Sequence, residues 1–280
     1  MTEKTRLEKI LLHDKWIVCT GLVIMSLLAW AYLLSGAGMA MSPLDMMSVS
    51  LIPHQHVGMV MPISEMNMLP EHWPLQQWII VILMWWIMMI AMMMPSAAPM
   101  ILLYTRVVRH GGDTTSRISH LVLFFICGYL VCWLVFSLIA TLLQWGLDRN
   151  TWLSVNMMSN QGWLTATLLI LVGVYQLTPL KLACLEKCRS PARFISDHMK
   201  SGGPGAMQMG IEHGIFCVGC CWALMLLLFV GGVMNLLWIL FLTFIVLAEK
   251  IFPPGEKISA VTGYILVTWG GILFFLSLYQ

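Results

Sequence analysis

Seven apolar segments separated by polar connections dominate the chain, and this pattern predicts membrane-spanning helices. The hydrocarbon core of a bilayer is about 30 Å thick, so a helix needs about 20 apolar residues to cross it. The sequence therefore predicts an all-α, polytopic transmembrane helical bundle that forms one domain over residues 1–280. The predicted spans are residues 16–35, 78–105, 120–146, 162–181, 209–230, 233–250 and 259–279.

The positions of the positive charges predict how these spans are oriented. Of the 15 lysines and arginines, all except Arg149 fall at the N-terminus or in alternate connections. Connections rich in Lys and Arg remain on the cytoplasmic side of a membrane. The N-terminus is therefore predicted in the cytoplasm and, after seven crossings, the C-terminus is predicted outside. An even number of spans would break the alternation.

The composition excludes several classes of protein. Hydrophobic residues make up 59% of the chain and charged residues 10%, whereas soluble domains average about 25% charged residues. A formal net charge of +2 gives no electrostatic support for nucleic-acid binding. The sequence has no phosphate-binding loop, which excludes ATP-driven pumping by this chain alone. The 24 Met, 8 Cys and 8 His residues instead indicate metal chemistry, because these side chains are soft or borderline metal ligands.

The second predicted span carries a stripe of methionines. Met84, Met88 and Met92 recur every four residues and share one helix face, with Met93 on the adjacent face. Pro95 follows and removes a backbone hydrogen bond. A freed carbonyl beside several thioethers would suit a soft cation. Packing is the alternative, because flexible Met side chains commonly fill irregular gaps.

The fifth predicted span carries three cysteines and a histidine within nine residues. His213, Cys217 and either Cys220 or Cys221 share one helix face, since they are three or four residues apart. Two thiolates of a Cys-x-x-Cys element can bind one soft metal ion. The alternative is that the cysteines are buried as small apolar residues.

Cys184 and Cys188 form a further pair at the cytoplasmic end of the predicted fourth span. At 1.5 Å per residue, Met93 lies about 20 Å and Cys220 about 16 Å from the predicted cytoplasmic boundary. The methionine stripe and the cysteines therefore share a depth, and would build one sulfur-rich site if their helices are neighbours. The remaining cysteines are interpreted as structural: Cys19, Cys127 and Cys132.

The predicted external loop, residues 37–77, holds a different set of ligands. His54 and His56 would lie on one face of an extended segment, with Glu65, His72 and eight methionines nearby. Imidazole and carboxylate groups suit Cu(II), zinc or iron, whereas Met suits Cu(I). The loop is therefore predicted to capture metal, or else its histidines are incidental to a polar loop.

Several charged side chains fall inside or at the edge of predicted spans, among them the acidic residues Glu212 and Glu249. A charge within a membrane is costly and indicates function by default. Glu249 is therefore a functional candidate, although an ion pair with the adjacent Lys250 at the membrane boundary is the structural alternative. Lys181 is expected to extend its ammonium group towards the boundary.

Three strings resemble a bacterial family of predicted metal-binding integral membrane proteins of unknown function, DUF2182. They are WWIMMIAMMMPSAAPM, YQLTPLKLACLEKCRSP and HGIFCVGCCWALMLLLFVGGVMNLLW, within residues 78–250. The resemblance implies a helical membrane protein with a metal site in the bacterial inner membrane, and no particular reaction. The matching positions are Met88, Met92, Met93, Pro95, Cys184, Cys188, Cys217, Cys220, Cys221, Met225 and Met234.

Three functions follow from these patterns. The first is copper handling, with capture at the external loop and transfer through the Met and Cys side chains of the membrane; zinc and iron are the alternative metals. The second is a copper-dependent oxidoreductase or oxygenase, or a subunit of one. The third is an accessory or assembly subunit of a larger membrane complex. The expected partners are the lipid bilayer, a metal ion and, depending on the function, other membrane subunits or a copper chaperone.

Overall fold

The computed structural model describes residues 2–37, 73–110, 115–150 and 162–277. These residues form helices joined by short connections, and the described part of the chain contains no β-strand. The all-α prediction is confirmed there. The helices are α1 (Thr2–Leu34), α2 (Leu75–His110), α3 (Thr115–Arg149), α4 (Gly162–Gln176), α5 (Pro179–Arg189), α6 (Pro191–His198), α7 (Gly202–Leu226), α8 (Leu228–Gly231), α9 (Leu236–Ile251) and α10 (Gly255–Ser277).

Four of these helices are long and apolar enough to cross a membrane, or five if the bent pair α4 and α5 forms one span. Val18–Leu34 is a shorter apolar helix. Large apolar side chains cover the outside of the bundle, among them Leu28, Ile139 and Phe244, each at least 60% exposed. Water would penalise such a surface, whereas lipid tails would not. These features support a membrane protein, while the seven crossings and their orientation stay predictions.

The predicted fourth span, 162–181, is not one continuous helix. Helix α4 ends at Gln176, α5 begins at Pro179, and the two axes differ by 62°. Pro179 occupies the first turn of α5, where the missing N–H is not needed. The Thr178 side chain accepts a hydrogen bond from the Lys181 backbone N–H at 3.3 Å and caps the new helix. The break turns α5, with its two cysteines, towards α7.

Helix α7 packs closely against α3 because glycines line their contact. A Cβ atom added at Gly128 would collide with the carbonyl oxygen of Met207, and one added at Gly210 would collide with that of Phe125. Small residues let transmembrane helices approach until their backbones touch. This contact fixes the depth of α7 in the bundle and therefore the position of the cysteines that α7 carries.

Two tryptophans fasten the methionine-rich helix α2 to α3. The Trp85 Nε1–H donates to Gln144 Oε1 at 2.6 Å, and the Trp86 Nε1–H donates to the carbonyl of Leu130 at 3.1 Å. Trp85 is fully buried, so its N–H needs such a partner. These bonds hold one rotation of α2, in which Met93 lies inside the bundle.

Replacement of Gly210 by Ala should destabilise the protein. The new methyl group meets the Phe125 carbonyl, so α3 and α7 must separate, at a cost of about 1–3 kcal/mol, as for other overpacked cores. Gly146→Ala on α3 is the matched control because no atom of another described helix lies within 4 Å of its added Cβ. Thermal unfolding in detergent should lower the apparent Tm for Gly210→Ala only. Equal Tm values for both variants would contradict the close α3–α7 contact.

Candidate metal site

Five sulfur atoms from three helices meet inside the bundle. Helix α7 supplies three thiols within five residues, α2 supplies a thioether and α5 supplies a fourth thiol. The three thiols of α7 are buried, as is the thioether. We call this group the sulfur cluster: Met93, Cys188, Cys217, Cys220 and Cys221.

Two pairs in the sulfur cluster bring different helices together. Cys221 Sγ lies 3.8 Å from Met93 Sδ, and Cys220 Sγ lies 4.0 Å from Cys188 Sγ. Metal–thiolate bonds are about 2.3 Å long, so two sulfurs on one three-coordinate ion lie about 4 Å apart. Each pair therefore has the spacing of two ligands to one soft metal ion.

Cys217 receives two polar contacts from other helices. The Lys250 Nζ of α9 lies 3.0 Å from Cys217 Sγ, and the Tyr129 hydroxyl of α3 lies 3.1 Å from the same sulfur. Lys250 also donates to Ser96 Oγ at 3.1 Å. A cation beside a cysteine favours the thiolate, which is the form that binds metal. Cys217 is thus the thiol with the strongest support for an anionic state.

The other thiols of α7 are occupied by hydrogen bonds to their own helix. Cys220 and Cys221 donate to the Cys217 carbonyl at 3.1 and 2.9 Å. Within residues 2–37, 73–110, 115–150 and 162–277, no three His, Cys, Asp or Glu side chains converge on one point as metal ligands. Met93 is outside that set of residue types, so the cross-helix sulfur pair is the unit that the structure presents. A third ligand would require a thiol to rotate away from the carbonyl.

A buried charged network lies beside the sulfur cluster, at the break between α4 and α5. Lys181 Nζ donates to Glu249 Oε2 at 2.6 Å and to Gln176 Oε1, while Gln176 Nε2 donates to Glu249 Oε1 at 2.9 Å. The ion-pair prediction for Glu249 and Lys250 is therefore wrong, because Glu249 pairs with Lys181. Lys181 is fully buried and does not extend to a boundary. The network joins α5 to α9.

The structure distributes the other predicted ligands unevenly. Met88 and Met92 are fully buried in α2, and Pro95 lies within that helix, which continues to His110. Cys184 Sγ lies against α7, only 2.9 Å from where a Cβ of Gly219 would be. His213 is buried one turn before Cys217. Outside the described residues lie the candidates of the external loop: His54, His56, Glu65 and His72.

Two residues that contact the sulfur cluster, Ser96 and Tyr129, are missing from the sequence-based prediction, and a third, Lys250, appears there only as a partner of Glu249. The adjacent charges Glu249 and Lys250 at the end of an apolar segment could have indicated that each has its own partner on another helix. Adjacent residues on a helix point about 100° apart, so two adjacent charges seldom share one partner. The roles of Ser96 and Tyr129 had no signal in the sequence because their contacts depend on which helices are neighbours.

Comparison with known proteins identifies one related family. Residues 82–273 match the model of the PpoB2 family, which is described as a copper chaperone. The matched range contains every member of the sulfur cluster together with Lys181, Glu249 and Lys250. No curated protein and no solved structure matches the chain.

Replacement of Lys181 by Met should leave the Glu249 carboxylate buried without its cation. Breaking a buried ion pair on one side costs about 3–5 kcal/mol, so the apparent Tm in detergent should fall sharply. The double variant Lys181→Met, Glu249→Gln removes both charges, retains an acceptor for Gln176, and should recover most of the loss. Lys257→Met, an exposed lysine of α10, is the control. If Lys181→Met and Lys257→Met have the same Tm, the buried pair does not stabilise the fold.

Proposed function

The chain belongs to the PpoB2 family of copper chaperones, and we propose that it binds Cu(I) in the sulfur cluster of a membrane helix bundle. One observation carries this proposal. Met93 and Cys221 are 128 residues apart in the chain, yet their sulfur atoms lie 3.8 Å from each other in the buried centre of the protein. The Cys220–Cys188 contact repeats this arrangement with a third helix.

The type of ligand supports copper in its reduced state. Thiolate and thioether sulfurs are soft ligands and prefer Cu(I), whereas harder ions prefer oxygen and nitrogen ligands. A thioether such as Met93 favours Cu(I) over Zn²⁺ and iron, the alternative metals. The family description also names copper and neither of those metals.

The positive charge of Lys250 supports the proposal because it would balance the negative charge of a copper–thiolate site. A Cu(I) ion held by two thiolates carries a net charge of −1, which is costly inside a bundle with a low dielectric constant. The Lys250 ammonium group, 3.0 Å from Cys217 Sγ, supplies the compensating positive charge. The bound site is then neutral overall, and a monovalent ion is favoured over a divalent one with the same thiolates.

The path of copper is a further part of the proposal. External capture would involve His54, His56, Glu65 and His72, with the methionines Met88 and Met92 leading inward to the sulfur cluster and Cys184. Imidazole, thioether and thiolate ligands all suit Cu(I), and the last of these binds it most tightly. This path belongs to a seven-span bundle in the bacterial inner membrane, with its N-terminus in the cytoplasm.

The two other functions inferred from the sequence require different properties of the site. An oxidoreductase or oxygenase needs an open position on a redox-active metal, and the sulfur-dominated ligands and the copper chaperone family support carriage of copper instead. An accessory subunit would keep its sulfurs only for packing. The protein that delivers copper to this chain, or receives copper from it, would be a second copper-binding protein or another membrane subunit.

Copper binding by the full-length protein in detergent should require the sulfur cluster. Anaerobic Cu(I) titration and metal analysis should find tightly held copper in the wild type. The variant Cys217→Ser, Cys220→Ser, Cys221→Ser should lose most of it, because serine hydroxyls are poor ligands for Cu(I). Met93→Leu should weaken binding by about tenfold, or about 1.4 kcal/mol.

Two controls test whether these losses are specific. Cys127→Ser replaces an exposed thiol of α3, and Met100→Leu replaces a buried methionine of α2 that lies outside the methionine stripe; both should retain copper. Full metal content in the triple cysteine variant would show that the sulfur cluster is packing and would support the accessory-subunit function. Metal-dependent oxidation of an apolar substrate would support the enzyme.

Lys250→Met should weaken copper binding without removing a ligand. Loss of the compensating charge is expected to lower Cu(I) affinity by about 10–100-fold, as for other residues that act through a metal ligand. The readout is the Cu(I) dissociation constant together with the competition between Cu(I) and Zn²⁺, which should shift towards Zn²⁺. Lys257→Met should leave both unchanged. An unaltered affinity and competition in Lys250→Met would mean that Lys250 does not compensate charge.

A further inference from the structure

His213 of α7 has a buried polar atom for which packing gives no reason. The side chain is 2% exposed, and its Nδ1 forms no hydrogen bond within the described parts of the chain. Aromatic rings surround it: Phe125, Tyr129 and Phe194, with ring centroids at 6.1, 5.9 and 5.4 Å. A buried nitrogen without a partner costs about 1–3 kcal/mol, so a ligand that uses this atom would recover that cost.

On one side, His213 leads to the sulfur cluster. It lies one turn before Cys217 on α7, and its ring stacks on Tyr129 with an interplanar angle of 29°. The Tyr129 hydroxyl in turn lies 3.1 Å from Cys217 Sγ and 3.3 Å from the Met93 carbonyl. A single aromatic ring therefore bridges the imidazole and the thiol.

On the other side, His213 leads to the surface. The Phe194 ring lies edge-on to His213 at 68° and stacks on His198 with a centroid distance of 4.6 Å. Phe194 and His198 line a pocket between α5 and α6 that is open to the outside of the protein. Phe194 is the wall between this pocket and the buried imidazole.

We propose that His213 is a transfer ligand through which Cu(I) passes between the pocket at His198 and the sulfur cluster. The inference rests on the proposed function, because it adds to the path from the external loop an exchange route that serves the same site from the side of α5 and α6. The His213 ring lies between the pocket wall Phe194 and Tyr129, which contacts Cys217, so His213 stands on the line between the pocket and the sulfur cluster. Phe194 must swing aside for the ion to pass.

Each step is a ligand exchange in which copper stays monovalent. A bond from Cu(I) to the incoming carrier breaks as a bond to the neutral His213 imidazole forms. That bond then breaks as a copper–sulfur bond to the Cys217 thiolate forms; because the Lys250 ammonium group already supports this sulfur as an anion, the exchange needs no proton to leave. Thiolate holds Cu(I) more strongly than imidazole does, so the second exchange is downhill towards the cluster.

The experiment measures the rate and the extent of loading separately. Full-length protein in detergent is mixed anaerobically with the coloured Cu(I)–bathocuproine disulfonate complex, and loss of colour is followed by stopped flow. His213→Phe keeps an aromatic ring but no nitrogen, and should load about tenfold more slowly, equivalent to about 1.4 kcal/mol of activation free energy. Its final copper content should equal that of the wild type. His120→Phe, on an exposed position of α3, should load at the wild-type rate.

Results that would overturn the role of His213 differ from the result that would overturn the proposed function. An unchanged rate in His213→Phe would overturn the inference, and a lowered final copper content would overturn it too by making His213 a permanent ligand. If His213→Phe fails to fold, His198→Phe at the half-buried pocket wall must load more slowly and Phe194→Ala faster; wild-type rates in both would overturn the route. A wild type that binds no copper would instead overturn the proposed function.

Discussion

The division of charges among Lys181, Glu249 and Lys250 organises the centre of the bundle. Glu249 is taken by Lys181 at 2.6 Å, and Lys250 is thereby left to Cys217 at 3.0 Å. A buried charge without a partner costs several kcal/mol. Because Glu249 and Lys250 are adjacent on α9, a movement of α9 that breaks one contact would also disturb the other. The first pair joins α5 to α9 and the second joins α9 to α7. Together they hold the helices that carry the cysteines at one level.

Part of this arrangement is predictable from the sequence, because spacing along one helix fixes which residues share a face. The i, i+4 relation of His213 to Cys217 and the shared face of Met84, Met88 and Met92 follow from periodicity alone. The partners across helices do not follow, since spacing carries no information about which helices adjoin. Lys181 illustrates the limit: its position suggested an extended side chain at a membrane boundary, whereas the break before Pro179 turns it inward. That break had a signal in Pro179, which the apolar run around it concealed.

Two thiols of the sulfur cluster form hydrogen bonds that must break before their sulfur atoms can bind a metal ion. Cys220 and Cys221 both donate to the Cys217 carbonyl, and each such bond is worth about 0.5–1.5 kcal/mol. A metal ion that recruits these sulfurs must replace those bonds, so part of the metal–thiolate energy is spent on rearrangement. The net affinity of the proposed copper site would therefore be lower than its ligands alone would give. A carrier needs this compromise, because a site that binds too tightly cannot pass its ion to the next protein.

The two sulfur pairs differ in how rigidly they are held. Met93 and Cys221 lie on α2 and α7, two long helices each packed against α3. Cys188 lies on the short helix α5, which follows a 62° bend and is tied to the bundle through Lys181 and Glu249. Movement of a short element about a break is cheaper than movement of a long packed helix, because fewer contacts are disturbed. The Cys188–Cys220 distance is thus the adjustable one, and it lies on the side of α5, the side on which the pocket at His198 opens.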